Sequence, residues 1–228
     1  MKHIGIVACS AEGAALCYRA ICQLALERVG KNDHPRITLD SIPMAAWMPA
    51  FESGDFAGVA KLMLDSARLL AKAGADFLIC PDNSAHRAWE WVQKDSPLPW
   101  LHIARGVAAE AKRRGFRTVG VLGTRFTMEG PLYRDALSEQ GIEALVPERG
   151  DFEMIHRTIF SELVDGVFSD ATRSGYNAAI GRLRDRGCDA VALACTEIPL
   201  LVRPDESPLP TLDSTRLLAA AALQEALA

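Results

Sequence analysis

Hydrophobic positions along the chain follow two different periods. Short runs rich in Val, Ile and Leu end in Gly, Ser, Thr or Asn, and these predict strands. Longer segments carry apolar residues three or four positions apart, as Val59, Met63 and Leu70 do, and these predict helices with one buried face. Strands are predicted near 3–8, 36–42, 76–80, 118–122, 143–146 and 189–193, and helices near 11–29, 56–73, 86–94, 103–114, 128–140, 151–165, 170–186 and 213–227. This alternation indicates an α/β protein with parallel sheets.

Two pairs of segments repeat along the chain. Gly-Ala-Asp-Phe-Leu-Ile-Cys-Pro-Asp-Asn-Ser at 74–84 matches Gly-Cys-Asp-Ala-Val-Ala-Leu-Ala-Cys-Thr-Glu at 187–197, so Asp82 and Cys195 occupy the same position. Ile-Gly-Ile-Val-Ala-Cys at 4–9 matches Val-Gly-Val-Leu-Gly-Thr at 119–124. A repeat on this scale predicts two equivalent halves, each with its own sheet and flanking helices.

Composition narrows the class of protein. The chain has 228 residues, 49% of them hydrophobic and 24% charged, which is enough to bury a sizeable core in two lobes. A net charge of -4 and the lack of a basic stripe argue against nucleic-acid binding. No segment approaches the roughly 20 apolar residues of a membrane span, and the N-terminal apolar run is too short for a signal peptide. We therefore expect a cytoplasmic protein without membrane contact.

Reactive and polar side chains stand where the predicted strands end. In parallel sheets, ligands bind at the carboxyl ends of the strands, and a following helix N-terminus favours an anion. The candidate reactive residues at these ends are Asp82 and Cys195. The candidate ligand-binding residues around them are Ser10, Asn83, Ser84, Thr124 and Thr196. The same residue types are also common in helix caps, turns and cores, and the repeat is what favours a site for a small carboxylic acid.

Several stretches are together typical of one family. They are 74–79, Asn-Ser-Ala-His at 83–86, Leu-Gly-Thr-Arg-Phe-Thr-Met-Glu at 122–129, Tyr133, 159–163, Cys-Thr-Glu-Ile at 195–198 and 213–215. Through them the chain resembles the aspartate/glutamate racemase family, cofactor-independent amino-acid racemases, over almost its whole length. The resemblance implies two pseudo-symmetric α/β lobes with the active site between them. The N-terminal lobe would comprise 1–100 with the returning C-terminal helix at 211–228, the C-terminal lobe 101–210, and the protein would be a homodimer.

The resemblance also implies the chemistry. Two cysteines usually exchange protons with Cα from opposite sides, without a cofactor or metal. Cys195 matches the second cysteine, whereas Asp82 stands where the first is expected. A carboxyl group, with a pKa of about 3.9, is a weaker base than a thiolate of pKa about 8.5, although burial or a nearby thiolate would raise the pKa of Asp82.

Three interpretations of Asp82 therefore stay open. Asp82 and Cys195 racemise or epimerise an amino acid together, or Cys195 alone isomerises or decarboxylates a small carboxylic acid, or the site binds a small carboxylate without turnover. Cys9 and Cys80 are alternative thiols, for which core packing is the favoured interpretation.

The expected substrate pocket differs from the pocket that is usual in the family that the chain resembles. Relatives specific for acidic amino acids commonly carry a basic residue after the second strand or near position 154, where this chain has Ala-Ala-Trp-Met at 45–48 and Met154. An apolar or aromatic substrate side chain beside Trp47 is therefore a further expectation, with core packing of Trp47 as the alternative. His86 is expected to brace the helix that follows Asp82. No phosphate-binding glycine motif or metal-ligand cluster occurs in the sequence, so no cofactor is predicted.

Overall fold

The chain folds as two α/β units that share one strand order. The computed structural model describes all residues, 1–228, and its units comprise residues 1–103 with 215–228, and residues 104–214. The strands are β1 (Ile4–Ala8), β2 (Ile37–Ser41), β3 (Phe77–Ile79), β4 (Thr118–Gly123), β5 (Glu143–Leu145), β6 (Ala190–Ala194) and β7 (Thr211–Asp213). The helices are α1 (Ala11–Arg28), α2 (Met44–Ser53), α3 (Phe56–Lys72), α4 (Trp89–Asp95), α5 (Ile103–Arg113), α6 (Arg125–Met128), α7 (Pro131–Ser138), α8 (Arg149–Ser161), α9 (Asp170–Asp185), α10 (Ile198–Leu201) and α11 (Ser214–Leu227).

Both sheets are parallel throughout. The first unit has the strand order β2-β1-β3, and the second has β5-β4-β6-β7. In the first unit, a single bridge between Leu78 and Trp100 stands beside β3, in the place that β7 takes beside β6. The Leu78 N–H donates to the Pro99 carbonyl at 2.9 Å, as the Val191 N–H donates to the Pro210 carbonyl at 2.9 Å in the second unit. The α/β class and the two-lobed, parallel-sheet architecture predicted from the sequence are confirmed.

The two units fix the start of their third strand in the same way. The Asp76 carboxylate accepts the His3 N–H at 2.6 Å, and the Asp76 N–H donates to the His3 carbonyl at 2.8 Å. In the second unit, the Asp189 carboxylate accepts the Thr118 N–H at 3.1 Å, and the Asp189 N–H donates to the Thr118 carbonyl at 2.8 Å. Equivalent residues of the repeat therefore make equivalent contacts, and this tie sets the register that carries Asp82 and Cys195 to the strand ends.

Each unit has its own hydrophobic core. In the first, α1 and α11 pack their apolar faces against β1 and β3, with Ile6, Ile21, Ile79 and Leu218 fully or almost fully buried. In the second, α8 and α9 pack against β4 and β6 in the same manner. Because the central strands are covered on both faces, they read as continuous apolar runs in the sequence.

Three segments differ from the predicted elements. Residues 44–53, expected to be a loop, form α2, which the sequence hides because Pro49 lies inside the helix. The helix predicted near 86–94 begins as a 3₁₀ turn at Ala85–Ala88 and becomes α-helical at Trp89. The helix predicted near 128–140 is divided into α6 and α7, with the second starting at Pro131.

Candidate functional site

The predicted residues gather at strand ends within each unit. In the first unit, β1 and β3 are neighbours, so the loop that carries Ser10 and the loop that carries Asp82 leave the sheet side by side. In the second unit, β4 and β6 are neighbours, and the loops after them carry Thr124 and Cys195. Each unit therefore offers one reactive side chain and one hydroxyl at adjacent strand ends.

Cys195 lies against a buried carboxylate. Its side chain is 8% exposed, and its thiol donates to Oε2 of Glu197 at 3.0 Å. The Thr196 hydroxyl donates to the same oxygen at 2.9 Å, and Glu197 is only 3% exposed. A buried carboxylate needs such donors to offset its lost hydration. The contact also aims the thiol proton at a group that can accept it, which is how an adjacent base activates a nucleophile or an acid/base thiol.

The position of Cys195 depends on a close approach of β4 to β6. A Cβ at Gly123, the last residue of β4, would lie 2.7 Å from the carbonyl oxygen of Ala194 and 3.2 Å from Cβ of Thr127. Only glycine fits there without moving the backbone next to Cys195. Thr124 follows directly, is buried, and has its hydroxyl 3.3 Å from that of Thr127.

Asp82 has a structural contact as well as a candidate chemical role. It is half-buried, and its Oδ1 accepts the Ala85 N–H at 2.8 Å, the kind of contact made by the residue that caps a helix. Asn83 and Ser84 are buried, and their carbonyl groups accept the N–H groups of His86 and Arg87, respectively. The sequence Asp-Asn-Ser thus forms the turn into the following helix, as the capping interpretation predicts, and places the carboxyl group at the strand end.

His86 braces this turn. The ring is buried, with Nδ1 2.8 Å from the carbonyl oxygen of Asp82 and Nε2 3.3 Å from the backbone nitrogen of Ile103. Burial lowers the pKa of His86 to about 4, the hydrogen bonds with the backbone at Asp82 and Leu101 opposing that change. At neutral pH the ring is therefore uncharged, as the expected bracing role requires.

Protonation of His86 predicts a loss of stability in acid. The pKa is near 6.5 in the unfolded chain and about 4 in the folded one, so the unfolded state binds more protons between these values. The stabilisation is complete above pH 6.5 and is lost as the pH falls towards 4. From pH 7.5 to 5, the free energy of unfolding should fall by about 2 kcal/mol more in the wild type than in His86→Gln. Urea unfolding at both pH values measures this difference, and equal losses in the two proteins would contradict the prediction.

Two further predicted ligand-binding residues have contacts in the fold. Ser10 is the N-cap of α1, and its Oγ accepts the Gly13 N–H at 3.1 Å. Trp47 is 0% exposed, donates its indole N–H to the Ile42 carbonyl at 3.2 Å and stacks on Phe51 with ring centroids 6.2 Å apart. These contacts suit the core-packing alternative for Trp47, and substrate contact by either residue stays a prediction.

The alternative thiols are packed in the core. Burial, together with the charge of Asp82, raises the pKa of the Cys80 thiol well above its usual range, so Cys80 is protonated. Cys9 is buried with its sulfur 3.8 Å from that of Met44. Both arrangements favour the packing interpretation over a replacement of the missing cysteine.

Arg125 and His156 meet at the start of α6, a contact that the sequence did not reveal. The Arg125 N–H donates to Nδ1 of His156 at 3.2 Å, and the guanidinium pairs with Glu153 at 2.7 Å. Burial and the charge of Arg125 lower the pKa of His156. Arg125 and His156 are 31 positions apart in the sequence, so spacing alone carries no signal for this contact.

The structure shows neither a metal-type cluster of side chains nor a membrane-spanning helix. No group of three or more His, Cys, Asp and Glu side chains stands together as a metal site would. None of the helices has the length and apolar character needed to cross a bilayer. The two strand ends carry a thiol, two carboxyl groups and hydroxyl groups.

Comparison with known proteins identifies the family. The sequence model of the family described as Asp/Glu/Hydantoin racemase matches residues 4–222. This chain belongs to that family. Membership of the Asp/Glu/hydantoin racemases supports amino-acid racemisation in general, and hence an isomerase. The family predicted from the sequence stretches is confirmed.

Individual members of the family match the chain over most of its length. A protein from Yersinia pestis, provisionally described as an Asp/Glu racemase, superimposes with a TM-score of 0.91 and 33% identity, covering 100% of both chains. An aspartate racemase homologue from Pyrococcus horikoshii, PH1733, gives 0.86 and 28%, again over 100% of both chains. The broad specificity amino-acid racemase RacX of Bacillus subtilis is 24% identical over 87% of this chain and 85% of its own length.

Proposed function

We propose that the protein is a cofactor-independent amino-acid racemase or epimerase, with Cys195 and Asp82 as the two groups that exchange protons with Cα. The observation that carries this proposal is the 3.0 Å hydrogen bond from the Cys195 thiol to Glu197. Family membership supports the reaction type. In the buried pair, the Cys195 thiol is a proton donor that Glu197 can reprotonate. The proposed substrate is a small amino acid or a related carboxylate. We further propose that the protein is a homodimer, which light scattering would test.

The proposed reaction needs one protonated and one deprotonated group, which Cys195 and Asp82 can supply. With Cys195 as a thiol and Asp82 as a carboxylate, Asp82 takes the Cα proton of one enantiomer while the thiol supplies its proton to the opposite face. The Cα–H bond breaks, a new one forms, and Cys195 is left as a thiolate while Asp82 is protonated. The other enantiomer reacts from that second state in reverse. Glu197 lies where it can hold or return a proton for Cys195 between these states.

The binding residues proposed for the substrate carboxylate remain those predicted from the sequence. Asn83 and Ser84 stand at the strand end that carries Asp82. Thr196 stands at the one that carries Cys195, and Thr124 stands at the end of the neighbouring strand β4. All four are buried and carry hydrogen-bonding groups. In a site shielded from water, such donors bind a carboxylate more tightly than they would at an exposed surface.

A second candidate function has one observation in its favour. Because Oδ1 of Asp82 accepts the Ala85 N–H, Asp82 has a structural role that would be needed without any proton transfer. Cys195 would then work alone, as the thiol of an isomerase or decarboxylase that acts on a small carboxylic acid. The two candidates differ in their products, since only the first inverts Cα.

The experiment that tests the function is a substrate panel in heavy water. L- and D-forms of acidic, small, apolar and aromatic amino acids are incubated with the protein, and the Cα proton is followed by NMR while chiral chromatography measures inversion. Exchange with inversion supports the racemase. Carbon dioxide release or a cis/trans product from carboxylic acids supports the single-thiol enzyme. Thermal stabilisation by a ligand without any product would instead support a binding protein and overturn both.

Glu197→Gln should weaken the Cys195 step without abolishing it. Glutamine has the size of glutamate and can accept the thiol hydrogen bond, but it cannot take up the proton. We expect Cα exchange to fall about 10- to 100-fold, within the range for loss of general acid–base assistance. The remaining exchange should rise with pH, because the thiol must then lose its proton to the solvent instead of to Glu197.

The matched control for this change is Glu206→Gln. Glu206 lies in the same unit and pairs with exposed Arg203, so its loss should leave exchange unchanged. Initial rates between pH 6 and 9 compare the two variants. A Glu197→Gln protein that keeps both the rate and the pH profile of the wild type would remove Glu197 from the mechanism.

A further inference from the structure

The His86 ring joins the loop that carries Asp82 to the start of α5. Its Nδ1 lies 2.8 Å from the Asp82 carbonyl oxygen, and its Nε2 lies 3.3 Å from the backbone nitrogen of Ile103, where α5 begins. The two hydrogen bonds lie on either side of one rigid imidazole. A shift of the Asp82 backbone would therefore break the first bond or require the ring to move.

The partners of the ring fix its tautomer. The Ile103 N–H can only donate, so Nε2 must accept and carries no proton. The proton of neutral His86 is then on Nδ1, where it donates to the Asp82 carbonyl group. With its pKa lowered to about 4 by burial, the ring keeps this tautomer across the neutral range.

Neighbouring rings hold the imidazole in place. Trp89 stacks on His86 with centroids 5.8 Å apart and planes 11° from parallel. His102 meets the His86 ring edge-on at 5.0 Å, and Trp89 meets His102 at 4.6 Å and 81°. A ring fixed by hydrogen bonds at both nitrogens and by packing on its face and edge has little freedom to follow a moving loop.

We propose that His86 is a positioning residue, which holds the backbone of Asp82 so that its carboxyl group is aligned for proton transfer at Cα. This inference rests on the proposed function. The physical reason is that a reacting group displaced by about 1 Å loses roughly 100-fold in rate. Helix bracing alone would affect stability, whereas positioning affects the Asp82 step in particular.

Two substitutions separate the bonds that His86 makes. His86→Gln can present an amide oxygen to the Ile103 N–H at the place of Nε2, and it loses the donor to the Asp82 carbonyl group. His86→Asn keeps an N–H donor near the place of Nδ1 and is too short to reach Ile103. His34→Asn is the matched control, because exposed His34 makes the same kind of Nδ1 contact, 2.8 Å to the Pro35 carbonyl oxygen, away from both strand ends.

The experiment compares two rates, inversion of Cα and exchange at the Cys195 face, which is the face of Cα from which Cys195 removes the proton. Each enantiomer is incubated in heavy water. Deuterium that appears in the starting enantiomer without inversion reports removal and return of the proton on one face alone. In His86→Gln, we expect inversion to fall about 10- to 100-fold while exchange at the Cys195 face stays within about twofold. His86→Asn should keep inversion within about threefold of the wild type, and His34→Asn should match it.

Other results would overturn the inference. They are inversion unchanged in His86→Gln, or inversion and Cys195-face exchange falling in proportion. If His86→Gln does not fold, Trp89→Leu removes the stacking ring and leaves both hydrogen bonds; inversion should then fall about 3- to 10-fold with exchange kept, and an unchanged ratio would overturn the inference. Wild-type protein without any exchange would overturn the proposed function and this inference with it, a result distinct from the others.

Discussion

Replacing Cys195 by alanine is expected to abolish inversion of Cα for both enantiomers, and to abolish deuterium exchange of the enantiomer whose proton Cys195 removes. The thiol is the group of the Cys-Thr-Glu turn that is proposed to exchange a proton with Cα, and Glu197 acts through it. Loss of a positioned general acid–base group costs roughly 100- to 10,000-fold in rate. We expect a loss of about 1,000-fold or more in inversion measured by chiral chromatography, with the folded state retained because alanine fits within the space of cysteine.

Two companion variants make this result specific. Cys195→Ser keeps a hydrogen-bond donor to Glu197 but has a far less acidic hydroxyl, so it should also lose inversion. Cys22→Ala removes a half-buried cysteine of the other unit, next to Tyr18, and should react like the wild type. Inversion that persists in Cys195→Ala at more than about a tenth of the wild-type rate would assign this proton transfer to another group.

The general fold was predictable because the repeat and the strand patterns are local signals. Gly74 and Gly187 open the two repeated segments, and both adopt positive φ, 88° and 94°, which favours glycine. The buried strands β1, β3, β4 and β6 give continuous apolar runs, and all six predicted strands occur close to their expected positions. The strand β7, Thr-Leu-Asp, has a single apolar residue, and the bridge at Trp100 follows a proline-rich segment, so neither gives such a run.

The site was only partly predictable, because its contacts depend on where side chains point as well as on where the residues lie in the sequence. The sequence shows that Glu197 follows Cys195 by two residues, but it does not show that the buried turn aims Oε2 at the thiol. The Ile103 N–H that binds His86 belongs to an element beyond a proline-rich loop, and no spacing rule connects them. Helix α2 was missed because Pro49 is usually a helix breaker, although here it lies within the helix.

Asp82→Asn should separate the two roles of Asp82. Asparagine keeps an oxygen at the place of Oδ1, so it can still accept the Ala85 N–H and cap the turn as well as aspartate does. It cannot take up or release a proton at the pH of the reaction. We expect the free energy of unfolding to change by no more than about 0.5 kcal/mol, whereas Asp82→Ala, which also loses the cap, should cost about 1 kcal/mol.

The activity of Asp82→Asn then tests the proposed chemical role of Asp82. If Asp82 exchanges a proton with Cα, inversion should fall about 100-fold or more, while the enantiomer whose proton Cys195 removes still gains deuterium without inverting. That pattern requires a second acid/base group opposite to Cys195 in the reaction. Inversion that survives in Asp82→Asn, with stability lost only in Asp82→Ala, would leave Asp82 a capping residue and assign the second acid/base role to another group.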